Sequence, residues 1–180
     1  GKGMAAALYM VRVQSIIYLL IESFTDIRDI VINLKKYFSK NLRKEFFLTL
    51  TIASIEKDGQ IKLIRAGHPP AIHYKTNLKE FNIVNPAGMG IGLNDKGIFE
   101  KIIETAEMQP QLNDVVFLYS DGVTEAMNVF YNQFGEDNIK RIIQNNADKT
   151  VEEIKHALLN ALASFRGAAN QNDDITMVIL

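Results

Sequence analysis

Two acidic stretches in this sequence have the residue types and spacing for chemistry. In FLYSDGVTEA, residues 117–126, a strand-like apolar run ends on Asp121-Gly122, with Thr124-Glu125 just behind. In QNDDITMVIL, residues 171–180, Asp173-Asp174 lead into an apolar run. An aspartate at a strand end, followed by glycine, projects its carboxylate where the chain turns sharply, although an ordinary Asx turn has the same signature. Adjacent carboxylates such as Asp173 and Asp174 repel unless a cation or hydrogen-bond donors neutralise them, and a solvated loop is the plainer reading. Together the two stretches supply hard oxygen ligands of the kind Mg²⁺ and Mn²⁺ prefer. Spacing alone does not bring them together in space.

Other candidates are weaker. AGHPP, residues 66–70, is a tight turn in which His68 could donate to a phosphate, or simply hold the turn. NPAGMGIGL, residues 85–93, has three glycines and could approach a ligand closely, but a lone glycine-rich loop says little. The opening Gly1-Lys2-Gly3 resembles an anion-binding turn ahead of a helix. It is not a P-loop, because neither Ser nor Thr follows Lys2. The remaining histidines, His73 in a strand and His156 on a helix, receive no role.

Several elements must position these groups. Residues 4–23 are good helix formers with apolar side chains nearly all round, which predicts a buried helix covered on more than one side. Arg12 and Gln14 interrupt it, and the uninterrupted apolar run 16–21 is too short to span a membrane. A second helix is expected over 27–38, after a cap at Thr25 or Asp26. Residues 47–55 and 61–65 alternate around Lys57-Asp58-Gly59-Gln60 and predict a hairpin. A second hairpin is expected at 71–74 and 80–84, with further strands over 98–107 and 114–119. Helices follow at 136–144 and 151–165, and a last strand at 175–180. Helices, antiparallel strands, helices and a final strand point to α+β with helices packed on sheet.

Composition narrows the function. With 180 residues, 47% apolar and 23% charged, the chain can bury a core as a single domain. A formal net charge of -1 argues against nucleic acid or a polybasic membrane anchor as partner. Zero cysteines rule out a disulfide framework and a thiolate metal site, and fit a cytoplasmic location.

Read in order, GKGMAAALYM, FLTLTIASIEKDGQIKLIRAGHPPAI, GIGL, DVVFLYSDGVTEAMN, FGEDNI and NDDITMVIL resemble the SpoIIE/RsbU-type branch of the PPM (PP2C-like) metal-dependent protein serine/threonine phosphatases. The resemblance spans the whole chain. It implies an α-β-β-α sandwich of two antiparallel sheets flanked by helices, and a two-metal site holding Mn²⁺ or Mg²⁺. Its metal ligands map to Asp121 and Asp173, with Asp174 supporting them from behind; Lys2 and His68 are the candidate contacts to substrate phosphate. The family's first motif, G-D-x-x-G-(K/H)-G, matches only through Gly1-Lys2-Gly3. The chain is therefore expected to be the C-terminal portion of one phosphatase domain, lacking its N-terminal strands and the Asp that bridges the metals. The implied substrate is a phosphorylated anti-anti-sigma (STAS-domain) protein, with a sensory or regulatory region upstream and a possible homodimer. A degenerate, non-catalytic family member that binds a phosphoprotein or partner is the alternative.

Overall fold

The computed structural model describes residues 4–39, 47–93 and 96–180. The elements run α1 (Met4–Ser23), α2 (Ile27–Ser39), β1 (Leu50–Ile55), β2 (Ile61–Ala66), β3 (Ala71–Lys75), β4 (Glu80–Val84), α3 (Phe99–Ile102), β5 (Thr105–Met108), β6 (Val115–Tyr119), α4 (Asp121–Thr124), α5 (Gly135–Asn146), α6 (Val151–Arg166) and β7 (Met177–Ile179). They form two units, one of Gly1–His68 with Pro86–Met108 and one of Pro69–Asn85 with Gln109–Leu180.

The first unit holds an antiparallel sheet ordered β1-β2-β5. Its hairpin registers Leu50 opposite Ala66 and Ile55 opposite Ile61. Gly59, at φ +84°, closes the turn between them. Val31, Leu34 and Phe38 of α2 join Ile64 and Ala66 of β2 in one core. In the glycine-rich stretch 85–93, Gly88 serves backbone packing, since a Cβ there would collide with the carbonyl oxygen of Arg65.

Two expectations fail in this unit. Helix α1 is not covered on more than one side: Val13 and Leu20 are buried, while Leu8, Val11, Tyr18 and Leu19 are all more than 60% exposed. Apolar residues lie all round the helix, but α2 covers only one stripe of it, with Tyr9 edge-on to Phe38. By length and composition alone, Ala6–Ser23 is also long and apolar enough to cross a membrane. The second failure is the strand expected over 98–107. Its first half is the helical turn α3, because Phe99 and Ile103 share a face at helical spacing and both enter the core. Only Thr105–Met108 is extended.

The second unit carries a four-stranded antiparallel sheet ordered β4-β3-β6-β7. Ile72 and Phe117 of this sheet share a core with Ile139 and Ile143 of α5 and Ile154, Leu158 and Leu162 of α6. Helix α6 starts on a complete capping box, with Thr150 and Glu153 each accepting from the other's backbone N–H.

Where β3 meets the loop before β6, a buried polar pair ties the sheet together. His73 Nε2 lies 2.9 Å from Asp114 Oδ2, and both side chains are 3% exposed. Asp114 also accepts from the backbone N–H groups of Gln111 (2.9 Å) and Thr76 (3.1 Å). Burial works against the charged carboxylate, but these N–H groups and His73 outweigh it and hold Asp114 below the ordinary 3.8. A lowered carboxyl contributes its stability above pH 3.8 and loses it as pH falls through the folded value. Asp114→Asn should therefore cost about 1–3 kcal/mol at pH 7, and much less once the carboxyl is protonated. Urea unfolding of both proteins at neutral and at strongly acidic pH checks this; an equal difference at both would contradict it.

Candidate functional site

Strand β6 is buried along most of its length and delivers the chain to Ser120, whose backbone is still extended. At Asp121 the chain turns into α4, a single helical turn that is too short to show as a periodicity in the sequence. Val123, fully buried, pins this turn to the core. Thr124 Oγ1 and the N–H of Glu125 both donate to the Asp121 carbonyl, at 3.1 and 2.8 Å. The Asp121 side chain is left on the exposed side.

The second acidic stretch arrives from the end of α6. Arg166 Nη1 donates to Gln171 Oε1 (3.1 Å), and Gln171 Nε2 donates to the carbonyl of Asp173 (2.8 Å). Asp173 Oδ1 accepts from the N–H of Asp174 at 2.9 Å.

Ser120 clasps the two stretches together. Its N–H donates to the Thr176 carbonyl (3.0 Å), and its Oγ accepts from the Thr176 N–H (3.0 Å) and donates to the Asp174 carbonyl (3.2 Å). Gly122 completes the contact. A Cβ there would collide with the Asp174 carbonyl oxygen and lie 3.5 Å from Asp173 Cβ. Asp121, Asp173 and Asp174 therefore share one edge of the second unit, all exposed. In the strand that leads to them, burial and the nearby Glu136 push the Tyr119 phenol up to about 12, so it stays protonated at neutral pH.

This edge suits a divalent cation in two respects. Its donors are hard carboxylate oxygens, and glycine at 122 lets the two acidic loops approach at backbone contact. Among the described residues, no group of three or more His, Asp or Glu side chains comes together as a full ligand set.

Two sequence candidates remain. His68 belongs to the first unit, where its Nδ1 lies 3.2 Å from Thr49 Oγ1 and its carbonyl accepts from Arg65 Nη1 (2.8 Å). Lys2, with Gly1 and Gly3, lies outside the described residues. Sequence reasoning passed over Ser120 and read Gly122 only as the turn after Asp121, although both stand beside it in SDG. Their signal was a hydroxyl and a missing side chain, whose partners lie more than fifty residues on.

No curated protein matches the sequence. Solved structures share the fold at low identity. The SiaA-PP2C domain of Pseudomonas aeruginosa superimposes with a TM-score of 0.84 at 18% identity, covering 100% of this chain and 71% of that one. The PP2C phosphatase domain of SpoIIE from Bacillus subtilis, with a fragment of its regulatory domain, gives 0.80 at 20% identity, covering 99% and 51%. The RsbU and RsbW domains of Rv1364c from Mycobacterium tuberculosis give 0.77 at 17%, covering 99% and 48%. The chain thus spans about half the length of the last two. Its mixed α+β arrangement of two antiparallel sheets with flanking helices is the PP2C-like fold. The family model described as Stage II sporulation protein E (SpoIIE) matches residues 1–180 from end to end, and the chain belongs to that family.

Proposed function

We propose that this chain forms part of a metal-dependent protein serine/threonine phosphatase. Its substrate is phosphoserine or phosphothreonine on a bacterial regulatory protein of the STAS-domain, anti-anti-sigma class. The observation that carries the reading is the clasp at Ser120 and Gly122, which joins two carboxylate loops distant in sequence. Loops held at such close quarters concentrate like charge, which a cationic ligand would offset.

Asp121 and Asp173 would hold the cations, with Asp174 supporting the second loop. Divalent ions there supply Lewis acidity, lowering a water pKa and neutralising charge on the phosphoryl oxygens. Manganese or magnesium fits the donor set: a SpoIIE phosphatase domain has been presoaked with Mn, and RsbX has been solved in complex with magnesium. The chain's own residues fix the separation of the carboxylates, through Ser120, and their rigidity, through Val123 and the Arg166–Gln171–Asp173 relay. No covalent protein nucleophile is required. On this reading a further carboxylate that would complete the site comes from upstream of Gly1, along with a sensory or regulatory region, and the enzyme works in the cytoplasm.

The test is Mn²⁺-dependent hydrolysis of p-nitrophenyl phosphate by these 180 residues and by an upstream-extended form. We expect little turnover from the 180 residues and clear metal-dependent turnover from the longer form. Equal rates would remove the need for an upstream ligand. No turnover from the longer form with either metal would overturn the phosphatase reading in favour of a non-catalytic phosphoprotein-binding module.

A further inference from the structure

Asp173 is held through a single peptide unit. Its carbonyl accepts from Gln171 Nε2 (2.8 Å), and the N–H on the other side of the same bond, that of Asp174, donates to Asp173 Oδ1 (2.9 Å). A peptide unit is planar and turns as one body. Whatever fixes its carbonyl therefore fixes the direction of its N–H, and with it the carboxylate that the N–H engages. Gln171 thus aims the Asp173 side chain through the main chain. The next carbonyl, that of Asp174, accepts from Ser120 Oγ (3.2 Å), so two successive peptide units are fixed from two different directions.

Gln171 is itself directed from α6. Arg166, the last residue of that helix, donates from Nη1 to Gln171 Oε1 (3.1 Å). A guanidinium carries only donors, so it selects the oxygen end of the Gln171 amide and turns Nε2 toward the Asp173 carbonyl. Without Arg166 the amide is free to turn over and set oxygen against oxygen.

Arg166 is no loose surface arginine. Its Nε is buried and has no hydrogen-bond partner among the described residues, although a long side chain at a helix end can ordinarily carry its charge out to water. An unpaired buried donor calls for a reason, and holding Gln171 supplies one. The helix end is fixed as well: the N–H of Gly167 donates to the Ala163 carbonyl (3.0 Å) and that of Ala169 to the Arg166 carbonyl (3.1 Å). Ile154, Leu158 and Leu162 root the same helix in the core of the second unit.

We propose that Gln171, oriented by Arg166, is a positioning residue that sets the divalent-cation affinity of the acidic edge by aiming the Asp173 carboxylate. This inference rests on the metal site of the phosphatase reading. Charge alone predicts the opposite: Arg166 repels a cation, so removing it would tighten binding.

The test is the affinity of the full-length protein for Mn²⁺ alone, read from the electron paramagnetic resonance signal of the free ion with no substrate present. Gln171→Ala should weaken it about tenfold. Arg166→Met keeps an apolar stem and drops the buried Nε; it should weaken binding too, and the double variant should bind no worse than Gln171→Ala. In an Asp173→Asn background, Gln171→Ala should change the remaining affinity by less than about twofold, whereas a merely loosened fold would lose affinity in every background. Gln171 is exposed, so the metal-free variants should melt with wild type. Unchanged affinity in Gln171→Ala, tighter binding in Arg166→Met, or a full tenfold loss in the Asp173→Asn background would overturn the proposal. If wild type binds no Mn²⁺, the metal site and its positioning fall together. If it binds Mn²⁺ but hydrolyses no phosphate monoester, the phosphatase reading fails alone, and the affinities still decide the role of Gln171.

Discussion

Asp121→Asn and Asp173→Asn are each expected to abolish most Mn²⁺-supported turnover of the upstream-extended protein, by about 100-fold or more. Each substitution keeps the shape of the side chain and removes one anionic oxygen donor. Cation stabilisation of a phosphoryl transition state is worth several kcal/mol, and about 1.4 kcal/mol corresponds to tenfold in rate. The effect on stability should have the opposite sign. Removing one of three neighbouring carboxylates relieves repulsion, so the metal-free variants should melt at or above the wild-type temperature. Residues that merely held the fold would lose stability and activity together. Asp174→Asn should cost less than tenfold, because Asp174 is anchored through its carbonyl to Ser120. Near-wild-type rates for Asp121→Asn or Asp173→Asn, measured at saturating Mn²⁺, would remove that residue from the metal site.

Gly122→Ala is expected to damage stability and turnover at once. The added methyl has nowhere to go, because what it meets is the Asp174 main chain and not a flexible side-chain end. Either α4 or the 173–174 loop must move, which typically costs about 1–3 kcal/mol. For a domain of this size that lowers the melting temperature by roughly 2–4 °C per kcal/mol. The same movement separates Asp121 from Asp173, so turnover should drop at least tenfold even at high Mn²⁺. Ser120→Ala is the milder companion. It removes only the side-chain half of the clasp and should cost about 0.5–1.5 kcal/mol, because the Ser120 N–H still reaches Thr176. A Gly122→Ala protein with wild-type melting and kinetics would show that the two loops need not touch.

Much of the fold was legible because its signals are local. The alternation of residues 47–55 and 61–65 around Asp58-Gly59 became the antiparallel pair β1 and β2, with β1 starting three residues later. Of the apolar stripe Val151, Ile154, Leu158, Leu162 and Phe165, the middle three became the buried face of α6, while Val151 at its first turn stays 48% exposed. The errors have physical causes. Residues 98–103 mix apolar and polar side chains without a strict period, and burial of Phe99 and Ile103 settled the segment as a turn of helix. Helix α1 was readable as a helix, but a helix that is apolar all round carries no mark of which stripe will be covered.

The site divides in the same way. Asp121 and Asp173 stood out by type and by their neighbours, yet their meeting depends on the Ser120–Thr176 pairing, fixed only when β7 docks on β6. That information is tertiary, and no window along the chain contains it.

The pairing has a consequence during synthesis. Ser120 and Asp174 are 54 residues apart, and ribosomes add about 5–20 residues per second. For roughly 3–10 s, then, β6 has left the ribosome with one edge unpaired, offering its backbone to any strand that arrives first. The nascent chain carries half of the acidic edge and cannot complete it until β7 emerges. Slow codons across residues 121–173 should therefore raise aggregation of the newly made chain without changing the finished protein, and chaperone demand should be greatest in that interval.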